Sequence, residues 1–139
     1  MSDSIYLVIL GEPASKANSR KIVTFGNRPA SIKSEKARNF EKSAMLQIPD
    51  SAKRMLTGKL RATIRIFYAS ERPDLDESVV LDVLQAKFKG SGSERECIRR
   101  GVYLNDRQVR EKHVFHGVDR ANPRAEILIE SIEAQGGLL

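Results

Sequence analysis

The 139-residue sequence has little cysteine and no long apolar run, and both absences limit what kind of protein it can be. Its single cysteine, Cys97, excludes an internal disulfide and a zinc site built from cysteines. The longest apolar run, residues 5–10, is far shorter than the roughly 20 residues of a membrane-spanning helix. The first residues carry neither a basic start nor a long apolar stretch, so we expect no secretory signal. These absences predict an intracellular protein of a reducing compartment, without a membrane partner.

The formal net charge of +6 is distributed unevenly along the chain. Residues 1–60 hold 11 Lys and Arg against 5 Asp and Glu, whereas the two signs balance over residues 61–139. A basic segment suits a polyanionic partner, because basic side chains that neutralise phosphates release counterions. The charge therefore favours a nucleic-acid partner, although basic residues that only solubilise a surface would give the same composition.

Hydrophobic periodicity predicts a single α+β domain over residues 1–139, a mixed β-sheet with two helices packed on it. The uninterrupted apolar run at residues 5–10 is typical of a central strand buried on both faces. Further strands are predicted at residues 21–25, 60–68 and 125–132, and an extended segment interrupted at Asn105-Asp106 is predicted at residues 103–116. Residues 60–68 alternate, so every second residue from Leu60 to Tyr68 is expected to face the same side.

Both predicted helices have a cap in the sequence, since Ser34 can cap the first and Asp76 the second. The apolar stripe of the first helix consists of Ala37, Phe40, Ala44 and Ile48. The buried face of the second is expected to reach Phe88. Residues 90–101 are predicted to be an inserted flexible loop, and residues 134–139 a flexible tail.

The triplet Asp74-Leu75-Asp76 carries the strongest chemical signal. On an extended chain, residues two apart project to the same side with Cα atoms roughly 6.5–7 Å apart, so both carboxylates would face one point. Such a pair is costly unless a cation neutralises it, and carboxylate oxygens suit Mg²⁺. The alternative is an ordinary turn in which Asp76 caps the helix and Asp74 is solvated.

Two further aspartates follow the triplet. Asp106 lies between two extended segments, where a loop could bring it beside the acidic pair, or where it is only part of an Asn-Asp turn. Asp82 is expected to point away from Asp76, because six residues along a helix rotate a side chain by about 120°.

The remaining candidates are a basic loop and two histidines. Lys16, Arg20 and Lys21, beside Asn18, could bind phosphates, or they could form a solvated loop. His113 and His116 lie three residues apart on a predicted strand and so point to opposite faces, which argues against a shared metal. The sequence shows no Cys/His/Asn arrangement that would make Cys97 a catalytic nucleophile, so this thiol is expected to take no part in chemistry.

Taken in order, these motifs resemble the RusA family of Holliday-junction resolvases. That family shows Asp-Leu-Asp-Asn-Leu-x-Lys, then Asp-Ala-Leu in a helix, then Asp-Asp-x-Gln-Val. The chain has Asp74-Leu-Asp76, Asp82-Val-Leu84 and Leu104-Asn-Asp-Arg-Gln-Val109 in the same order, after a Pro-x-Ser-x-x-Asn-x-Arg stretch at residues 13–20.

The resemblance implies a Mg²⁺-dependent endodeoxyribonuclease, with Mn²⁺ as a substitute ion, that resolves four-way DNA junctions as a homodimer in recombination and repair. By motif, Asp74, Asp76 and Asp106 would bind the metal and carry catalysis, with Arg72 and the basic loop contacting DNA. We expect a cytoplasmic, nucleoid-associated protein of bacterial or phage origin. The alternative is a weakly active or inactive protein of the same fold that binds junctions or other nucleic acid.

The main departure of the chain from the family pattern is that the family lysine is replaced by another residue. The family lysine falls on Val80 when counted from the second aspartate, or on Ser78 when counted back from Asp82. Lys87 lies about 10 Å further along the same predicted helical face. The first residue of the family's Asp-Asp pair is Asn105 here. These departures concern turnover and junction preference more than the fold or the metal ligands.

Overall fold

Two helices pack on one face of a four-stranded mixed β-sheet in the computed structural model, which describes residues 3–18, 20–72 and 74–132. The strands are β1 (Ser4–Leu10), β2 (Arg20–Phe25), β3 (Arg28–Lys33), β4 (Leu60–Tyr68), β5 (Lys87–Lys89), β6 (Glu96–Arg99), β7 (Val109–Val118) and β8 (Arg124–Ser131). The helices are α1 (Glu35–Gln47) and α2 (Glu77–Leu84). The α+β class predicted from the sequence is confirmed. The predicted tail at residues 134–139 lies outside the described residues.

The main sheet has the strand order β1-β8-β4-β7, in which β7 is parallel to β4 and the other neighbours are antiparallel. β1 is therefore an edge strand, and the prediction of a central strand buried on both faces is wrong. Ile5, Leu7 and Ile9 are buried, but the alternate residues are exposed. The helices cover only one face of the sheet, so a continuous apolar run did not signal burial on both sides.

The core lies between the covered face of the sheet and the two helices. On β4 the buried residues are Leu60, Ala62, Ile64, Ile66 and Tyr68, the alternation that the sequence predicts. Ser34 caps α1 by accepting a hydrogen bond from the Ala37 amide, and the predicted apolar stripe of this helix is buried. The alternation of β4 and the cap and apolar stripe of α1 each depend on residues close together in the sequence, and these predictions are confirmed.

No helix of the described residues packs on the opposite face of the sheet, which is called the open face below. Pairing register places four residues of each strand on this face, in four rows. They are Ser4, Tyr6, Val8 and Leu10 of β1; Arg124, Glu126, Leu128 and Glu130 of β8; Arg61, Thr63, Arg65 and Phe67 of β4; and Glu111, His113, Phe115 and Gly117 of β7. His113 is thus on the open face and His116 on the covered one, as predicted.

The segment after α2 differs from its prediction. The helix ends at Leu84 rather than near Phe88, because backbone hydrogen bonds between Leu84 and Val102 and between Ala86 and Tyr103 draw the chain into an extended path. β5 and β6 then pair as a hairpin, so the predicted flexible loop at 90–101 includes a strand. Among the described residues, no helix is long and apolar enough to cross a membrane.

Candidate active site

A pocket of about 220 Å³ collects most of the chain's candidate chemistry and is called the acidic pocket below. Its charged lining consists of four carboxylates, Glu41, Asp76, Asp82 and Asp106, and two basic side chains, Arg20 and Lys33. These residues come from β2, β3, α1, α2 and the turns before α2 and β7. Residues from across the sequence therefore meet at one place.

Asp76 enters the acidic pocket as the N-cap of α2. Its Oδ1 accepts hydrogen bonds from the amide and the hydroxyl of Ser78, and only 8% of the residue is exposed. The cap prediction is confirmed. A buried carboxylate at this position is favoured by the positive end of the helix dipole, and the serine fixes its orientation.

Asp82 lines the same pocket as Asp76, so the expectation that it points away is wrong. The cap residue has φ −129° and ψ 92°, which is extended backbone, and the helical rotation cannot be counted from it. Asp82 Oδ2 accepts a hydrogen bond from Lys33 Nζ at 2.9 Å, and its Oδ1 accepts one from Gln85 Nε2 at 3.0 Å.

Asp106 reaches the pocket on a 3₁₀ turn, Asp106–Gln108, that a capping box holds in place. Asn105 accepts the hydrogen bond of the Arg107 amide, and Gln108 Oε1 accepts that of the Asn105 amide. The Asp106 amide donates to Gln85 Oε1 at 3.0 Å. Gln85 therefore connects Asp106 to Asp82, and Asn105 has a local capping role.

Asp74 is not among the residues that line the acidic pocket. Its Oδ2 accepts a hydrogen bond from the Ala17 amide at 2.9 Å, and its Oδ1 accepts one from Arg72 Nε at 3.3 Å. The Ala17 hydrogen bond, with help from Ser15 and Arg72, lowers the pKa of Asp74 to about 2. Asp74 thus fastens the N-terminal loop beside the pocket, and its role as a metal ligand stays a prediction.

The loop contact of Asp74 has an expected consequence for acid stability. A depressed carboxyl pKa stabilises the fold above pH 4, and this contribution is lost as the pH falls from about 4 to about 2. Asp74→Asn should be less stable than the wild type at pH 6 but should lose less stability between pH 4 and 2. Thermal unfolding across pH 6 to 2 measures this difference. Asp50→Asn, at an exposed side chain, is the control, and parallel curves for all three proteins would contradict the assignment.

Lys33 is a pocket residue that the sequence reasoning missed. Its Nζ lies 2.5 Å from Glu41 Oε2 and 2.9 Å from Asp82 Oδ2. Partial burial disfavours the charged ammonium, but these two carboxylates outweigh it and raise the pKa of Lys33. Lys33 is the last residue of β3, directly before the α1 cap, and this position next to a cap was its only signal in the sequence.

The structure places the five predicted DNA-binding residues at three different locations. Arg20 lines the acidic pocket, and its guanidinium donates to the backbone oxygen of Ser31 at 2.7 Å. Lys21 follows it on β2 and so projects to the other side of the β2–β3 hairpin. The other three lie around Asp74: Lys16 donates its amide to the Asp74 carbonyl, Arg72 pairs with the Asp74 carboxylate, and Asn18 bonds to Ser15.

The two positions considered for the family lysine are now distinguished. Ser78 lines the acidic pocket, whereas Val80 is fully buried in the core. Lys87 lies on β5 and is exposed, so its predicted place on the helical face of Val80 is wrong. A lysine could therefore reach the pocket from position 78 but not from position 80.

The donor chemistry of the pocket fits a hard divalent cation. Asp76, Asp82 and Asp106 offer carboxylate oxygens, which Mg²⁺ prefers, and none of the described lining residues offers a sulfur or imidazole ligand. Within residues 3–18, 20–72 and 74–132, however, no three His, Cys, Asp or Glu side chains are grouped closely enough to hold an ion. Two of the three predicted ligands, Asp76 and Asp106, share this pocket.

The Tyr68 hydroxyl lies at the end of β4, near Asp74 and Asp76. Burial, with the nearby charges of Asp74 and Asp76, raises the pKa of Tyr68 to about 12. The phenol is therefore protonated at neutral pH beside the acidic groups.

Comparison with known proteins adds no assignment, since no protein-family model and no curated protein matches the chain. The acidic pocket and the motif order are what bear on function.

Proposed function

We propose that the chain is a Mg²⁺-dependent endonuclease that cleaves phosphodiester bonds in branched DNA, above all in four-way junctions. The observation that supports this function is the mixed lining of the acidic pocket, where Asp76, Asp82 and Asp106 lie with Arg20 and Lys33. Metal-dependent phosphodiester cleavage uses carboxylates to bind a divalent ion and positive groups to stabilise the phosphate oxygens, and the pocket offers both.

Each pocket residue has a part in this proposal. Asp76 and Asp106 would hold the ion, with Asp82 beside them, and the bound ion would polarise the phosphate and lower the pKa of the attacking water. Ser78 orients Asp76 through its two hydrogen bonds. Lys33 would provide the positive charge that positions 78 and 80 lack. It enters the pocket from β3 rather than from α2.

The β2–β3 hairpin is the proposed path of the DNA to this pocket. Residues 20–33 contain four basic and no acidic side chains. Arg20 and Lys33 are opposite each other in the hairpin pairing and both line the pocket. Near the other end of the hairpin, Phe25 is 65% exposed and Arg28 is exposed. A basic hairpin that ends at an acidic pocket suits a phosphate backbone.

Alanine substitutions at Lys21 and Arg28 should therefore weaken junction binding and reduce its salt dependence. Each lost phosphate contact flattens the plot of log affinity against log salt by roughly 0.9. Fluorescence anisotropy with a labelled junction from 50 to 200 mM salt measures both effects. Arg54→Ala is the matched control, because Arg54 pairs with Asp3 outside the hairpin. Equal affinities and slopes in all variants would place the DNA elsewhere.

The direct test of the proposed function is incubation of the purified protein with a synthetic four-way junction and Mg²⁺. Paired nicks in the junction, with little cleavage of linear duplex, are the expected result on a denaturing gel. Omission of the ion should abolish the nicks.

A second candidate function is junction binding without cleavage. The contacts of Lys33 favour it, since its ammonium group neutralises two pocket carboxylates, those of Glu41 and Asp82. Salt-dependent junction binding with no nick in Mg²⁺ or Mn²⁺ would establish this function and contradict the first.

A further inference from the structure

The β5–β6 hairpin, residues 87–100, is strongly basic, although residues 61–139 as a whole are balanced in charge. It holds five basic and two acidic side chains, whereas the rest of residues 61–139 holds eight basic and eleven acidic ones. Within the part of the chain that the structure describes, none of the five pairs with a carboxylate, and all but Arg99 are exposed. A basic surface whose charge is not neutralised from within attracts a polyanion. The five are Lys87, Lys89, Arg95, Arg99 and Arg100.

The arginines of the hairpin are held by contacts that leave their charge unneutralised. Arg99 donates to the Gln85 carbonyl at 3.1 Å and lies 2.8 Å from Met45 Sδ. Nearer the turn, the Arg95 guanidinium stacks on the Phe88 ring, 4.1 Å from its centre. A carbonyl, a thioether and an aromatic ring carry no negative charge. Because both arginines are already held in place, binding a phosphate orders little that was free before.

Gln85 joins the base of this hairpin to the acidic pocket. Its carbonyl accepts the hydrogen bond of Arg99, and its side-chain amide donates to Asp82 Oδ1 at 3.0 Å. Its Oε1 accepts the hydrogen bond of the Asp106 amide at 3.0 Å. β5 begins two residues later, at Lys87. The hairpin therefore starts at the rim of the pocket.

The two basic hairpins adjoin opposite ends of α1, with the acidic pocket between them. The β2–β3 hairpin leads directly into the cap residue Ser34, whereas Arg99 contacts Met45 in the last turn. Glu41, which lines the pocket, lies between these two points on the helix. The rise of an α-helix separates Ser34 from Met45 by about 16 Å. A DNA strand that enters along the first hairpin can therefore pass the pocket and continue along the second.

We propose that the β5–β6 hairpin is a second phosphate-binding surface, on which the duplex arm that leaves the acidic pocket lies. It rests on the proposed function for the DNA in the pocket, but the hairpin lies outside every motif that resembles the resolvase family. Lys87 and Lys89 lie two residues apart on β5 and project to the same side, with Cα atoms roughly 6.5–7 Å apart. Both can contact one phosphate strand, and such contacts do not depend on base sequence.

The first test is DNA binding without a divalent ion. Lys87→Gln combined with Lys89→Gln should weaken junction binding about tenfold at 50 mM salt, because two phosphate contacts are lost. The slope of log affinity against log salt should fall by about 1.8, roughly 0.9 for each contact. Fluorescence anisotropy should show the same loss with a linear duplex and a smaller one with a single strand.

The matched control is Arg54→Gln combined with Lys59→Gln, which removes the same charge elsewhere. Arg54 pairs with Asp3 before β1, and the Lys59 carbonyl accepts a hydrogen bond from the Ile132 amide after β8. This pair should bind the junction and the duplex as the wild type does. Circular dichroism checks that each variant is folded.

The second test locates the arm directly, because the single cysteine of the chain, Cys97, is exposed on this hairpin. An iron–EDTA reagent attached to its thiol, with ascorbate and peroxide but no Mg²⁺, releases hydroxyl radicals that cut nearby DNA. Cuts should be confined to a short segment of duplex arm, a few base pairs from the branch point. The same reagent on Tyr6→Cys in a Cys97→Ser protein, on the open face, should give no localised cuts.

An affinity and salt slope equal to those of the control pair, or cuts from Cys97 no stronger than those from Tyr6→Cys, would overturn the hairpin surface. A loss confined to the single strand would overturn the assignment to a duplex arm. Both tests omit Mg²⁺ and are independent of cleavage. A hairpin effect in a protein that never cuts junctions contradicts only the nuclease, and an active nuclease without a hairpin effect contradicts only this surface.

Discussion

Replacing Asp76 or Asp106 with asparagine should lower Mg²⁺-dependent junction cleavage by at least about 100-fold and leave junction binding intact. Asparagine keeps the size of the side chain but removes the charge that a divalent ion needs. The same charge repels DNA phosphates when no ion is bound, so binding without metal should be unchanged or tighter. Gel cleavage and anisotropy assays on the same samples measure both properties.

The comparison with other aspartates makes this result specific. Asp82→Asn should also impair cleavage, because Asp82 lines the pocket and contacts Lys33. Asp50→Asn should have no effect, since the Asp50 side chain is 94% exposed and lies outside the pocket. Full activity of the Asp76 variant would refute the metal site. Loss of binding together with cleavage in a folded variant would refute the separation of binding from catalysis.

Replacing Lys33 with methionine should reduce the cleavage rate by about 10- to 100-fold with a smaller effect on affinity for the junction. The ammonium is held at the pocket by two carboxylates, at 2.5 Å from Glu41 and 2.9 Å from Asp82. A charge fixed in place before the reaction stabilises the negative charge that develops on the phosphate. Single-turnover rates at saturating enzyme separate this effect from binding.

Two further variants test the position of that charge. Lys36→Met is the control, because Lys36 pairs with Glu12 rather than with a pocket carboxylate. Ser78→Lys, placed in the Lys33→Met protein, should recover part of the lost rate, since Ser78 lines the same pocket. A Lys33→Met protein that cleaves at the wild-type rate would show that Lys33 only pairs with its neighbours.

A lysine at Val80 is expected to unfold the protein rather than to assist it. Val80 is fully buried, and an unpaired ammonium in the core costs several kcal/mol. The two registers that the sequence left open thus have opposite expected outcomes at positions 78 and 80.

Features that depend on neighbouring residues were predictable from the sequence. The caps at Ser34 and Asp76, the alternation of β4 and the separation of His113 from His116 all follow from one helical or extended segment. The burial of β1 on one face only, and the end of α2 at Leu84, were not predictable in this way. They depend on which sheet face the helices cover and on the pairing of Leu84 with Val102 across the fold.

The residues of the candidate site can likewise be separated into those that the sequence marked and those that the fold added. The sequence alone determined the class of the fold and marked Asp76 and Asp106, because their motifs are short and local. Only the tertiary structure added Asp82, Glu41 and Lys33 to the pocket and turned Asp74 towards the loop at Ala17. The physical reason is that a hydrogen bond between Lys33 and Asp82 joins residues 49 positions apart. Such contacts are set by the packing of whole elements, whereas caps and strand alternation are set by the backbone of a few residues.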